Sequence, residues 1–328
     1  MSDKTGIEWT EATWNPVTGC SKVSQGCKNC YAEREWPRMA ANPGTVYFGR
    51  EFTDVQCHPE RLDQPLRWKR PRRIFVNSMS DLFHEAVPDE FIAQVFAVME
   101  RATVHTFQVL TKRPKRMMDW VIKQDVMYRS AGYPGGFGGR FKNVWLGVSV
   151  EDQDTADQRV PILLETPAAV RWISVEPLLG PVDLRRIQHP DYSLSADTLG
   201  GIDGRGERGW TRDIQPGTTL DWVVVGGESG PKARQMHPDW VRSLRNQCSA
   251  AGVPFLFKQW GEFMPADADD CDPAAQSEKN LYWSDGSPWT ADDGQRGSVE
   301  LMCRVGKKAA GRTLDGRTWD DYPDKPPL

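Results

Sequence analysis

Residues 14–34 read WNPVTGCSKVSQGCKNCYAER. The stretch opens as a short strand, WNPVTGC (14–20), crosses a loop and continues as a helix, CYAEREWPRMAA (30–41). Strand, loop, helix is the unit that decides the fold, because the chain repeats it. RRIFVNSM (72–79) is a buried strand, and VPDEFIAQVFAVMERAT (87–103) places Phe91, Ile92, Val95, Phe96 and Met99 at helical spacing, with Pro88 suited to the first turn. HTFQVLTKRP (105–114) and PKRMMDWVIKQ (114–124) form the next strand and helix. NVWLGVSV (143–150) is followed by DQDTADQRVPILLET (152–166), a helix expected to run in two pieces around Pro161. VRWISVEPL (170–178) and LDWVVVGGESG (220–230) are strands, HPDWVRSLRNQCSAAG (237–252) is a helix stopped at Gly252, and VPFLFKQWG (253–261) is the last strand.

Repeated β-then-α order implies a parallel sheet with right-handed crossovers. About 6–7 units exceed a minimal doubly wound half. The fold expected is therefore α/β, a full or incomplete (β/α) TIM-like barrel over residues 1–262, with a doubly wound open sheet as the alternative. Insertions are expected at about 42–73, 127–142 and 181–219. Residues 263–328 read as a C-terminal extension packed on the barrel, with a hairpin at LYWSDGSPW and a basic segment at CRVGKKAAGRTLDGRTWDDYP.

In parallel α/β folds, sites form at the carboxyl ends of the strands. Here those ends carry Ser78, Ser80 and Asp81, then Lys112 and Arg113, Ser149 and Glu151, Ser174 and Glu176, Glu228, and finally Lys258 and Gln259. Any one of them is ordinary loop polarity. The repetition across units is what points to an active site. The first unit adds Cys20, Cys27 and Cys30, spaced C-x6-C-x2-C. Three thiolates suit a [4Fe–4S] cluster with one open iron, or a zinc whose fourth ligand comes from Cys57 or His58.

The rest of the composition sets bounds. With 39% hydrophobic and 26% charged residues the chain is a folded protein rather than a disordered one. No apolar run approaches a membrane span, and MSDKTGIEWTEATW lacks a signal-peptide core, so a cytoplasmic location and no membrane partner are expected. Thiols stay reduced there, which favours ligands over disulfides. The formal net charge of −4 gives no global basic field, so nucleic-acid binding needs a local patch. Arg67, Trp68, Lys69, Arg70, Arg72 and Arg73 supply one candidate, and Arg304, Lys307, Lys308, Arg312 and Arg317 a second. A solvated charged face accounts for either patch equally well.

Three cysteines in the loop after strand one of a (β/α) barrel resemble the radical S-adenosylmethionine (SAM) superfamily. More closely, the chain resembles the phage-associated three-cysteine-motif family through IEWTEATWNPVTGCSKVSQGCKNCYAE, FVNSMSDLFH, LTKRP, GVSVE, SVEPLLGP, VGGESG and KKAAGRTLDGRTWDDYP. The superfamily resemblance implies a [4Fe–4S] cluster on Cys20, Cys27 and Cys30, SAM on its fourth iron, and an electron donor such as flavodoxin or ferredoxin. The superfamily spacing is C-x3-C-x2-C, with an aromatic before the third cysteine and a Gly-Gly-Glu after strand two; here Asn29 and NSMSD stand in those places. By chemistry, Lys112 or Arg113 suits the SAM carboxylate, Ser149 and Glu151 its ribose, and Ser78, Ser80 or Asp81 its amino group. Glu176 and Glu228 suit ribose, amine or substrate. Phage association makes modification or repair of nucleic acid or a nucleotide the expected reaction class. A zinc-stabilised nucleic-acid-binding protein and an iron–sulfur protein with a structural or redox cluster are the competing readings.

Overall fold

Short runs of β-branched and aromatic residues, each fenced by polar loops, become the strands of one sheet. The computed structural model describes residues 5–189, 192–200, 218–265, 281–284, 287 and 300–323. In chain order the elements begin with strands β1 (Ala12–Trp14) and β2 (Val17–Thr18), helix α1 (Tyr31–Ala40), strands β3 (Gln56–Cys57) and β4 (Arg73–Val76), and helix α2 (Asp89–Arg101). Strand β5 (Thr106–Thr111), helices α3 (Pro114–Ser130) and α4 (Gly136–Arg140), strand β6 (Val144–Val150) and helix α5 (Gln153–Glu165) follow. Strands β7 (Val170–Val175), β8 (Ile187–His189), β9 (Tyr192–Ala196) and β10 (Trp222–Gly226) precede helix α6 (Pro238–Ala251) and strand β11 (Phe255–Gln259). The last described elements are β12 (Phe263–Pro265), β13 (Leu281–Trp283), β14 (Leu301–Arg304) and the short helix α7 (Lys307–Ala310).

The main sheet has seven strands in the order β1-β4-β5-β6-β7-β10-β11, all parallel. Each strand lies beside the next of the series, so the order never reverses. A doubly wound sheet must reverse at a switch point, and that alternative is excluded. Strands β1 and β11 are the two edges and do not pair with each other, so the sheet is an incomplete (β/α) barrel.

Side chains alternate across the sheet with period two. The outward set, including Val76, Phe107, Leu146, Ile173, Val223 and Phe257, packs against the helices in the main core. The inward set makes a second core from Phe75, Trp145, Trp172, Trp222, Val224 and Leu256, with Trp9 inserted from the N-terminal segment. Trp9 meets Phe75 edge-on at 4.7 Å and Trp172 at 5.2 Å. Gly147 makes room for this floor, because a Cβ there would sit 2.6 Å from the Trp172 indole. The C-terminal segment completes it: Trp319 accepts from the Phe257 amide at 3.0 Å, and Tyr322 lies 5.2 Å from Trp222 and under the Arg73 guanidinium at 3.9 Å.

Several local expectations are corrected. The first barrel strand is Ala12–Trp14, and WNPVTGC instead contributes β2, which pairs antiparallel with β3. Helix α5 is continuous through Pro161, started by a reciprocal cap between Asp152 and Thr155. The insertion at 127–142 is mostly the end of α3 plus α4, and 42–73 runs into β4. The insertion at 181–219 holds the antiparallel pair β8–β9, while its residues 201–217 lie outside the described residues. So do residues 285, 286, 288 and 289 of LYWSDGSPW; its described strand β13 pairs with β14, next to β12. No helix among the described residues is long and apolar enough to cross a membrane.

Filling the space at residue 147 or emptying the floor tests this packing. Gly147→Ala should cost about 1–3 kcal/mol by overpacking, and Trp172→Ala about 3–5 kcal/mol by leaving a cavity. Exposed Ile122→Ala should stay within about 0.5 kcal/mol. Urea denaturation of the three variants measures all three.

Candidate active site

Above the aromatic floor, the inner face turns polar at Ser149 and Ser174, and a cavity of about 250 Å³ opens at the carboxyl ends of the strands. Cys20, Cys27 and Cys30 line it. Ser78, Ser80, Asp81, Lys112, Arg113, Ser149, Glu176 and Glu228 line it too. Eight of the nine residues expected to hold the cofactor therefore share one cavity with the three thiols. Glu151 is the exception. It sits behind the wall, its side chain fully buried.

Glu151 supports the cysteine loop from below. It pairs with Lys112 and, at 3.2 Å, with Arg159, and accepts from the Ser24 hydroxyl at 3.0 Å. Gly26 presses directly against it, since a Cβ there would lie 2.5 Å from Oε1. Burial works to raise the Glu151 carboxyl, but the Lys112 ammonium and Arg159 guanidinium outweigh it and hold it below the ordinary value of 4.5.

Glu228 grips the same loop from the far side. Its Oε2 accepts from Asn29 Nδ2 at 2.9 Å, and Arg234 binds both of its oxygens while donating to the Gln25 carbonyl at 3.0 Å. Burial opposes ionisation here as well, and the Arg234 and Asn29 hydrogen bonds bring the carboxyl below its ordinary value. Asn29 thus latches the cysteine loop to Glu228.

A third support holds Cys20. Arg113 donates to Cys20 Sγ at 3.7 Å, to Asp81 at 3.2 Å, to both oxygens of Glu85 at 3.0 Å and to the Ser21 hydroxyl at 2.8 Å. Asp81 is filled by the Thr111 hydroxyl and by the amides of Phe83 and Lys112. Burial, reinforced by Asp81 and offset in part by Arg113, pushes the Cys20 thiol up to about 12. Burial also raises Cys30. Below the loop, Trp36 of α1 stacks edge-on with Tyr47 and Phe52, forming a small core with Met79 against which Cys20 and Cys30 pack. Tyr47 and Phe52 bring the insertion after α1 into that core.

The remaining expected residues are partnered within the chain. Ser78 donates to Asn15 Oδ1 at 3.2 Å and Ser80 to the Val17 carbonyl at 2.8 Å. Glu176 meets Lys258 at 2.9 Å and accepts from Ser174 at 2.9 Å. Tyr31, next to Cys30, donates its hydroxyl to the Ser78 carbonyl; burial of that hydroxyl raises it, and the Cys30 and Glu176 charges add to the effect.

Two expectations do not reach this site. Cys57 and His58, the candidate fourth zinc ligands, do not line the cavity: Cys57 is in β3, and His58 Nε2 bonds Thr18 at 2.7 Å. Among the described residues no group of three or more His, Cys, Asp or Glu side chains is drawn together tightly enough to hold one ion. The basic segment at Arg67, Trp68, Lys69, Arg70, Arg72 and Arg73 runs into the start of β4, so it lies at the amino ends of the strands, opposite the cavity. There Arg72 covers Trp68 at 5.0 Å, Arg73 pairs with Glu11, and Arg67 pairs with Asp63.

The class that fold and site define is an incomplete parallel (β/α) barrel with a three-thiol cavity at the carboxyl rim. Residues 4–323 match the family described as "Protein of unknown function (DUF5131)", and the chain belongs to that family. No curated protein matches it. Among solved structures, a cysteine-to-serine mutant of spore photoproduct lyase is similar over 92% of this chain and 71% of that one, at 10% identity and a TM-score of 0.37.

The two carboxylate supports predict separate outcomes. Glu151→Gln leaves Lys112 and Arg159 uncompensated and should cost about 3–5 kcal/mol at pH 7. Because the native carboxyl is lowered, its contribution is complete above 4.5 and is lost as pH falls through the folded value. The gap between variant and native chain in chemical denaturation should therefore narrow in acid. Glu228→Gln should instead loosen the loop, and a loss of about 1.4 kcal/mol there raises alkylation of Cys27 and Cys30 about tenfold in metal-free protein.

Proposed function

We propose that this chain is an iron–sulfur enzyme of radical SAM type, acting on nucleic acid or a nucleotide. The observation that carries the reading is the placement of Cys20, Cys27 and Cys30, three free thiols of one loop, around a single cavity at the carboxyl ends of a parallel sheet. The donor set fits a [4Fe–4S] cluster. Each thiolate of such a cluster takes a different iron, so the sulfurs need to surround a shared volume rather than meet at one point. When bound, the cluster and SAM supply reductive carbon–sulfur cleavage and hydrogen abstraction from a substrate.

The chain's own residues orient and enclose. Glu151 and Glu228 hold the two flanks of the cysteine loop, and Arg113 holds Cys20 while placing positive charge beside its sulfur. An ammonium has three donors, so Lys112 retains N–H groups beyond its pairing with Glu151 for the SAM carboxylate. Ser149, with its hydroxyl on the inner wall, suits the ribose. Ser78 and Ser80, on the loop after β4, suit the amino group through their oxygens. Arg113 and Asp81, each filled by partners inside the chain, serve as scaffold rather than as cofactor contacts. The aromatic floor closes the lower end of the cavity and keeps water from entering through the barrel.

Anaerobic purification tests the proposal. The expected protein is brown, absorbs broadly near ~400 nm, and carries iron and sulfide; Cys20→Ser, Cys27→Ser and Cys30→Ser each lose the iron. With a reductant, SAM should yield 5′-deoxyadenosine. Colourless protein holding stoichiometric zinc, unchanged by the serine substitutions, would sink the reading.

A further inference from the structure

Of the residues expected at the cofactor, Glu176 also suits a substrate, and it lines the cavity together with Lys258, Trp9, Phe75, Ile7 and Leu110. Its base is the edge-to-face pair Trp9–Phe75, with Ile7 and Leu110 beside it. Its wall is the ion pair of Lys258 on β11 and Glu176 after β7, 2.9 Å apart. Both side chains are largely buried, exposing 18% and 14% of their surfaces. The pair is built in: Ser174 donates to Glu176 Oε2 at 2.9 Å, Trp9 Nε1 donates to the same oxygen at 3.4 Å, and a Cβ at Gly226 would strike Glu176 Oε1 at 2.5 Å.

We infer that Lys258 and Glu176 form a recognition site for the lactam edge of a planar heteroaromatic ring, the adjacent N–H and C=O of a keto nucleobase. This rests on reading the cavity as the reaction chamber. A carboxylate has about four acceptor positions and an ammonium three donors. Ser174, Trp9 and Lys258 take three of the Glu176 positions, and Glu176 takes one Lys258 donor. What remains is one acceptor beside free donors, set side by side. A lactam edge offers the complementary donor and acceptor in that arrangement. An anionic group would face Glu176, and a cationic group would face Lys258, so the neutral pair disfavours both. The apolar Trp9–Phe75 floor supplies stacking area for a flat ring, which a sugar would not use.

Calorimetric titration of the full chain with nucleosides tests this without requiring turnover. Thymidine and guanosine should bind, and 3-methylthymidine and 1-methylguanosine, whose ring N–H is blocked, should bind about tenfold or more weakly. Lys258→Met and Glu176→Gln should abolish the difference between parent and methylated ligand. Oligothymidylate that binds more tightly than thymidine assigns the base to a nucleic acid; equal affinity assigns it to a free nucleoside. Equal binding of parent and methylated nucleosides, or no binding in any arm, overturns the inference. Failure of the radical reading is separate: colourless protein that still discriminates methylation loses the cluster and keeps the base site.

Discussion

A carboxylate with no contact with solvent holds this molecule's chemistry in place. Glu151 follows β6, and from there it joins Lys112 at the end of β5, Arg159 on α5 and Ser24 in the cysteine loop. Burying an ion is costly unless it is paired and hydrogen-bonded. Two cations and a hydroxyl meet that condition here, and Gly26 is small enough to let the loop rest on the group. Ends of successive strands and the loop are thereby bound to one point, so the loop cannot shift without exposing a charge. The location of Cys27 follows from the location of Glu151.

The sheet itself imposes the second constraint. An open barrel leaves its inner face short of covering at the two edges. The chain answers from both termini: Trp9 enters from the N-terminal segment, and the C-terminal segment runs beside β11 and sets Tyr322 against Trp222 and Arg73. The floor thus draws on residues at both ends of the sequence. Of the fourteen tryptophans in the chain, Trp145, Trp172 and Trp222 come to this floor from the strands and Trp9 from the N-terminal segment.

The alternation of strand and helix, the parallel sheet and the positions of the rim residues other than Glu151 were legible in the sequence, because burial on both faces writes strands as continuous apolar runs and rim positions follow them directly. FVNSMSD and SVEPL each show the change from apolar to polar at the strand end. Three things were not legible. Strand β1 is only three residues long, too short to show as an apolar run. The basic segment around Trp68 looks like a binding patch in sequence, yet its place before β4 sends it to the opposite end of the barrel. Asn29 and Arg234 are separated by about two hundred positions, and only the folded chain brings them together on Glu228. Pairings this distant leave no local pattern.

The charges of the cavity bear on what it accepts. Asp81 is matched by Arg113, Glu151 by Lys112 and Arg159, Glu176 by Lys258, and Glu228 by Arg234. Each carboxylate among the expected site residues thus has its own cation within the chain. The three thiols have no such arrangement: Arg113 reaches Cys20 at 3.7 Å but is shared among Asp81, Glu85 and Ser21. Ionising the three would add negative charge to a wall already balanced, and burial favours the protonated thiol at Cys20 and Cys30. On the proposed cluster reading, metal binding would release those protons and supply positive charge together. Around the rim the carboxylates are thus balanced by cations of the chain and the thiols are not, and a group that accepts thiolates is what the proposed cluster would add.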